Sequence, residues 1–309
     1  MRIVFAGTPA LALPSLAALQ KSEHVIAAVV TRPDAPAGRG RTLHPSPVAQ
    51  YAFDAGIPVL KPRSMRDETF ADELRALDPE AGCVVAYGGM IPAPVLAIPA
   101  HGWFNLHFSL LPQWRGAAPV QRAIWAGYEL TGCTVFQLDE GLDTGPIYAQ
   151  AAYNMGLEES AGEVLEHLAR SGAGLLSEVM DAVAAGTAHG RVQEPFDGPH
   201  AAKITVDEAR INWQQTARQI MQQVRACTPD PGAWTEYEST RVRVLHSRDP
   251  AVEIEQILPP GQMWGDKHRV LVGTGTDPLE LVSVQPAGKR AMAATDWLRG
   301  MRGADVVFH

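Results

Sequence analysis

Apolar residues along the chain fall into two rhythms. In the first half, short apolar runs alternate with helical segments. Residues 2–6 read as a strand that ends at the turn Gly7-Thr8-Pro9, an apolar helix runs to about Leu19, and residues 24–31 read as a second strand. Further strands are expected over 57–60 and over 82–87, where Gly88-Gly89 closes the run. Strands separated by helices imply crossover connections and a parallel sheet wound on both faces. Residues 102–107 supply the next central strand, 131–138 and 146–153 close the sheet, and a long helix follows over about 160–185.

The second rhythm begins after a break. Between 186 and 205 the pattern dissolves into Gly, His, Pro and Asp, which reads as a linker. A helix is expected over about 207–226, and the turn Thr228-Pro229-Asp230-Pro231-Gly232 comes next. Short alternating stretches at 233–237, 240–246, 269–273 and 279–284 suggest a small β-barrel. The expected architecture is α/β: a doubly wound, mostly parallel, Rossmann-like domain over 1–188, a linker over 189–206, and an OB-like barrel over 207–309. No internal repeat or low-complexity tract interrupts it.

Composition narrows the class. With 309 residues, each domain can bury a core of its own, and 46% hydrophobic with 19% charged residues is an ordinary globular balance. No apolar run approaches the roughly 18 residues of a membrane span, and the strand-like start Met1-Arg2-Ile3-Val4-Phe5-Ala6-Gly7 does not read as a signal peptide. Cys83, Cys133 and Cys227 are widely spaced and odd in number, which fits free thiols in a cytoplasmic protein and no zinc site. Net charge is −8, which opposes wholesale binding to nucleic acid. Between Arg32 and Arg66, however, the bases Arg32, Arg39, Arg41, Lys61, Arg63 and Arg66 outnumber the acids Asp34 and Asp54, so a local patch can still meet a polyanion. Gly7-Thr8-Pro9-Ala10 lacks the later glycines of a dinucleotide fingerprint, and no P-loop lysine follows a glycine run.

The chemistry concentrates in Asn105-Leu106-His107-Phe108-Ser109-Leu110-Leu111-Pro112-Gln113-Trp114-Arg115-Gly116-Ala117-Ala118-Pro119. Residues two apart on a strand share a face, so Asn105 and His107 project together near a strand's end, where open α/β sheets form their ligand crevice. An amide that donates to an oxyanion beside an imidazole that takes a proton suits acyl-type transfer. The plainer alternative is an asparagine at a strand end beside a satisfied core histidine. Asp143, in the glycine-bearing loop Gln137-Leu138-Asp139-Glu140-Gly141-Leu142-Asp143-Thr144-Gly145, tips the balance: a carboxylate beside His107 fixes its tautomer and stabilises the imidazolium. Asp-Thr-Gly is also a common turn. Ser109 to Pro112 would line the crevice, offering apolar side chains and exposed backbone amides to a flat heteroaromatic ligand. The helix opened by Trp114 to Pro119 ends near Gly127, and Arg115 either meets an anion or is solvated. The Pro-, Gly- and Arg-rich loop from Thr31 to Leu43 has no core to bury and reads as an exposed basic arm that can order around phosphates.

Taken together these motifs resemble the methionyl-tRNA formyltransferases, within the folate-dependent formyltransferase family. The resemblance spans essentially the whole chain. It runs through Arg2 to Pro9, the arginine loop, Val85-Ala86-Tyr87-Gly88, residues 105 to 119 and Asp143-Thr144-Gly145, then Lys203-Ile204-Thr205, residues 208 to 213 and Gln285-Pro286-Ala287-Gly288-Lys289. Asn-x-His with a later Asp is shared by folate-dependent formyltransferases of this fold. The arginine loop with a second domain is narrower. The resemblance implies that Asn105, His107 and Asp143 are catalytic, and that Ser109, Leu110, Leu111, Pro112, Tyr87, Gly88, Ile91, Asp139 and Gly141 line the site of 10-formyltetrahydrofolate. It further implies that Arg39 and Arg41 meet initiator methionyl-tRNA, that no metal takes part, and that the enzyme is a cytoplasmic monomer. The alternative acceptor is a small amine, glycinamide ribonucleotide or an amino sugar, or water in a hydrolase. Phe108 departs from the pattern, since many members of the family carry glycine there.

Overall fold

The computed structural model describes residues 1–37, 42–250, 258–301 and 306–308. The chain forms two compact units, and the division is not a single cut. Residues 1–119, 130–154 and 165–201 make the first; residues 120–129, 155–164 and 202–309 make the second.

Along the chain, the elements up to residue 184 are β1 (Arg2–Gly7), α1 (Leu13–Gln20), β2 (Val25–Val30), β3 (Ala35–Ala37), β4 (Thr42–His44), α2 (Pro47–Asp54), β5 (Val59–Leu60), α3 (Glu68–Ala76), β6 (Ala81–Val85), α4 (Ala93–Leu96), β7 (Trp103–His107), α5 (Pro119–Trp125), β8 (Leu130–Gln137), β9 (Ile147–Asn154) and α6 (Ala161–Ala184). The main sheet has the order β5-β2-β1-β6-β7-β8-β9. Strands from β5 to β7 run parallel; β8 and β9 are antiparallel. The expected mostly parallel, doubly wound sheet is therefore present. Ile3, Val4, Phe5 and Ala6 on β1 are completely buried, as a central parallel strand covered on both faces requires. On β9 half-buried and exposed positions alternate beyond the buried Ile147, in keeping with its place at the sheet's edge.

The winding reverses between β1 and β6, since β2 and β5 lie on one side and β7 on the other. Ligand crevices of such sheets open at the carboxyl ends of the strands flanking that reversal. There Thr8 Oγ1 donates to the Tyr87 carbonyl at 2.8 Å, joining the turns that leave β1 and β6. Local signals explain the helix starts: the side chains of Ser46 and Asp67 accept from backbone N–H groups in the first turns of α2 and α3.

The second unit holds α7 (Ala217–Cys227), β10 (Ala233–Tyr237), β11 (Thr240–Arg248), β12 (Met263–Gly265), β13 (Val270–Val272), β14 (Leu279–Pro286), β15 (Met292–Ala293) and α8 (Ala294–Gly300). Its antiparallel sheet has the order β10-β11-β14-β13-β12, with β15 on β14. The short strands expected from the alternating stretches are thus present as an antiparallel sheet. The helix expected from 207 starts ten residues later. Ile211 N–H donates to the Trp234 carbonyl and Trp234 N–H to the Ala209 carbonyl, at 2.7 and 2.9 Å, so this backbone is spent on β10 instead. A reciprocal capping box between Thr216 and Gln219 then begins α7.

Candidate active site

Strand β7 lies between β6 and β8, and Asn105 pairs in register with Val84 and Phe136. Asn105 and His107 share one face of it, as the period of two demands. The Asn105 side chain is half-buried, and its amide has no hydrogen-bond partner among the described residues. His107 is 6% exposed. Its Nε2 lies 3.1 Å from the Trp114 carbonyl oxygen. That oxygen can only accept, so Nε2 carries the proton in the neutral ring and Nδ1 holds the lone pair.

Nδ1 faces Asp143 Oδ2 at 3.8 Å. Burial pushes the His107 pKa below its ordinary 6.5, against the upward pull of Asp143 and of the Trp114 hydrogen bond. At neutral pH the ring is therefore uncharged, and the 3.8 Å approach becomes an ion pair only once Nδ1 gains a proton. This corrects one expectation: the tautomer is fixed by the Trp114 carbonyl, while Asp143 stands ready for the charge.

Asp143 is held from two sides. Its Oδ2 accepts from Gly116 N–H at 2.8 Å, and its own carbonyl accepts from Gln193 Nε2 at 2.8 Å. Gln193 Nε2 also donates to the Gly145 carbonyl at 2.8 Å, and Gln193 Oε1 accepts from Arg115 Nε and a terminal nitrogen at 3.1 and 2.7 Å. Arg115 thus meets a neutral amide, neither an anion nor solvent alone. Asp143 and Trp114 both take left-handed backbone, with φ of 54° and 59°. Gly145 must be glycine, because a Cβ there would sit 1.9 Å from the Gln137 carbonyl oxygen.

Gln193 was not legible as a site residue. It falls in the stretch read as a linker, yet only 8% of it is exposed. Reciprocal 2.8 Å bonds between Ile147 and Arg191 draw that stretch onto the start of β9. No local pattern announces such a pairing.

The residues expected to line the folate site differ in what they leave available. Ser109 is fully buried and Leu111 is 3% exposed, while Leu110 and Pro112 are half-buried. Part of the backbone expected to be free here is engaged: the Leu111 N–H and the Ser109 and Leu111 carbonyls. Thr134 Oγ1 donates to the Ser109 carbonyl at 2.6 Å and accepts from Leu111 N–H at 3.2 Å, and Gln150 Nε2 donates to the Leu111 carbonyl at 2.9 Å. Thr134 and Gln150 lie on β8 and β9 and carried no sequence signal of their own. Tyr87 and Ile91 pack their side chains into the core around Val84, Val95 and Trp103. Gly88 sits beside them at the strand reversal with φ of 81°. Asp139 Oδ1 accepts from Gly141 N–H at 3.0 Å and from Thr144 Oγ1 at 2.7 Å, so both residues shape the Asp143 loop. Phe108 is 6% exposed and points into the interior.

Arg39 and Arg41 lie outside the described residues; the strands β3 and β4 pair antiparallel on either side of them. Among the described residues no group of three or more His, Cys, Asp or Glu is placed to hold a metal ion, and no helix is long and apolar enough to cross a membrane. The cysteines are free and buried, and burial pushes the Cys83 thiol up to about 12, far from a reactive thiolate.

Comparison with known proteins gives the family. The Formyl transferase family matches residues 1–180, and the family described as Formyl transferase, C-terminal domain, matches residues 203–302. A protein of Salinispora arenicola named methionyl-tRNA formyltransferase is 53% identical over 303 residues, 98% of this chain and 97% of its own. Among solved structures, the methionyl-tRNA formyltransferase from Clostridium thermocellum covers 82% of this chain and 95% of its own with a TM-score of 0.60 at 15% identity. HypX from Aquifex aeolicus, in complex with tetrahydrofolic acid, covers 98% of this chain with a TM-score of 0.70 at 17% identity. This chain spans about half of that protein, 48% of its length. At such identities these two structures speak for the fold alone, but the family matches and the near-complete relative speak for more: the chain belongs to the formyl transferase family.

Proposed function

We propose that the protein transfers the formyl group of 10-formyltetrahydrofolate to the α-amino group of methionine on initiator methionyl-tRNA, as a cytoplasmic monomer. One observation carries the chemistry. Asn105 and His107 stand two apart on β7, and His107 Nδ1 faces Asp143 Oδ2 at 3.8 Å. The acceptor follows from the relative named methionyl-tRNA formyltransferase, which matches nearly end to end.

The residues divide the work by charge. As the neutral methionyl amine attacks the formyl carbon, the Asn105 amide donates to the oxygen that becomes negative. His107 Nδ1 takes the proton that the amine sheds as the new C–N bond forms. The imidazolium then pairs with Asp143, which lowers the cost of charging a buried ring. The same proton returns to the departing N10 of the folate as the old C–N bond breaks, so atoms and charge balance. Trp114 keeps Nε2 out of this exchange by holding its hydrogen. Ser109, Leu110, Leu111, Pro112, Tyr87, Gly88, Ile91, Asp139 and Gly141 form the surroundings in which we place the folate. Arg39 and Arg41 are assigned to tRNA phosphates, a role suited to guanidinium groups.

The test is formyl transfer by the purified protein from labelled 10-formyltetrahydrofolate, with initiator methionyl-tRNA, elongator methionyl-tRNA and an amino-sugar nucleotide as acceptors. Label is expected on initiator methionyl-tRNA. Label on the sugar nucleotide alone would reassign the acceptor. Arg39→Ala is expected to lower kcat/KM for tRNA, to make that kcat/KM fall less steeply with rising salt than in the parent, and to leave the KM for the folate unchanged.

A further inference from the structure

Residues 114 to 116 touch three different parts of the site in succession. The Trp114 carbonyl holds His107 Nε2, the Arg115 guanidinium holds Gln193 Oε1, and Gly116 N–H holds the Asp143 carboxylate. Gln193 closes the circuit by donating to the Asp143 and Gly145 carbonyls. We propose that Gln193, braced by Arg115, is a positioning residue for the reaction: it locks the Asp143 loop against the Trp114 turn and thereby sets where the carboxylate faces His107 Nδ1. The proposal rests on the assignment of His107 and Asp143 as the reacting pair.

Three features support it. The side chain must give two hydrogens to carbonyls and accept from a guanidinium, which an amide does, whereas a carboxylate lacks the donors and a cation lacks the acceptor. Asp143, which it holds, and Trp114, the neighbour of the bracing Arg115, both have left-handed backbone, which persists for non-glycine residues only where the surroundings enforce it. Gln193 is also buried, so water does not stand in for the lost bonds of a substituted side chain. Gln193 touches neither reacting atom; it acts through Asp143.

The decisive measurement is a double-mutant cycle between Gln193→Met, which keeps the shape and removes the hydrogen bonds, and Asp143→Asn. In the wild-type background Gln193→Met is expected to lower kcat by about tenfold or more, with KM for the folate and for tRNA within about twofold. In the Asp143→Asn background the same change is expected to cost less than about twofold. An equal fall in both backgrounds, or unchanged kcat in the wild-type background, overturns the proposal. His107→Ala is assayed alongside. Full turnover there would reject the reacting pair itself, while lost turnover there with an unaffected Gln193→Met enzyme rejects only the role of Gln193. Should Gln193→Met fail to fold, Arg115→Ala and Arg115→Lys enter the same cycle. Lysine keeps one donor to Gln193 Oε1 and is expected to restore part of kcat; no difference between the two variants overturns the bracing.

Discussion

One buried glutamine in each unit makes the same pair of bonds. Gln193 Nε2 donates to the carbonyls of Asp143 and Gly145, and Gln223 Nε2 donates to those of Glu208 and Arg210, both at 3.0 Å. Each amide spans carbonyls two residues apart and fastens the turn between them. They differ at the other oxygen. Gln193 Oε1 accepts from Arg115, whereas Gln223 Oε1 is buried and has no partner among the described residues. They differ also in what the turn carries: a carboxylate facing His107 in one case, and the approach to α7 in the other. The same backbone clamp should therefore be read out in turnover in the first unit and in stability in the second.

The largest expected effect sets the scale for the first unit. Asn105→Ala removes the proposed oxyanion donor and should lower kcat by about a hundredfold or more. Because that amide has no partner within the described protein, the melting temperature should stay within a degree or two of the parent. Steady-state kinetics with a thermal melt check both halves, and near-normal turnover would remove Asn105 from the mechanism. Gln223→Leu is the mirror experiment. It removes the two hydrogen bonds to the Glu208 and Arg210 carbonyls and should destabilise the protein by about 1–3 kcal/mol, read by urea unfolding, with kcat of the folded enzyme unchanged. A loss of kcat without a loss of stability would erase the contrast between the two clamps.

What could be read from the sequence follows the same divide between local and distant contacts. The central strands were legible as short continuous apolar runs, and the placement of Asn105 and His107 on one face needed only a period of two. Asp143 was legible because its loop is acidic and glycine-bearing. Gln193 was not, since it reaches the site through the pairing of Arg191 with Ile147, across more than forty positions. Nor was the tautomer of His107, which depends on the direction of one backbone carbonyl. The late start of α7 was a misread rhythm. Ala209, Ile211 and Trp213 are buried while Arg210, Asn212 and Gln214 are exposed, an alternation of two that belongs to an extended segment and not to a helix.

Acid should sharpen the difference between the units. Burial holds the pKa values of both His107 and His24 below the ordinary 6.5. The charges acting on His107 come from Asp143; those acting on His24 come from the Met1 ammonium, Asp181 and Glu80. A histidine whose folded pKa is depressed takes up protons more readily when unfolded. Its stabilising contribution is complete above about 6.5 and is lost as pH falls through the folded value. Stability should therefore decline on acidification below about pH 6.5, by at most about 1.4 kcal/mol per pH unit for each proton. Melting temperatures between pH 7.5 and 5 should fall less steeply in His24→Gln than in the parent. Equal slopes would mean that His24 titrates alike folded and unfolded.

The smallest expected effect isolates the second unit. Thr216 and Gln219 cap α7 reciprocally, the Thr216 side chain accepting from Gln219 N–H while the Gln219 side chain accepts from Thr216 N–H. Thr216→Ala removes one side of that exchange and should destabilise by about 1 kcal/mol. That change strikes the helix bearing Gln223, whose amide in turn holds Glu208 and Arg210. If helix and turn form one cooperative piece, Thr216→Ala and Gln223→Leu will together destabilise by less than the sum of the two, because fraying the first turn of α7 already loosens the clamp. Strict additivity in urea unfolding would show instead that the clamp is indifferent to the helix's first turn.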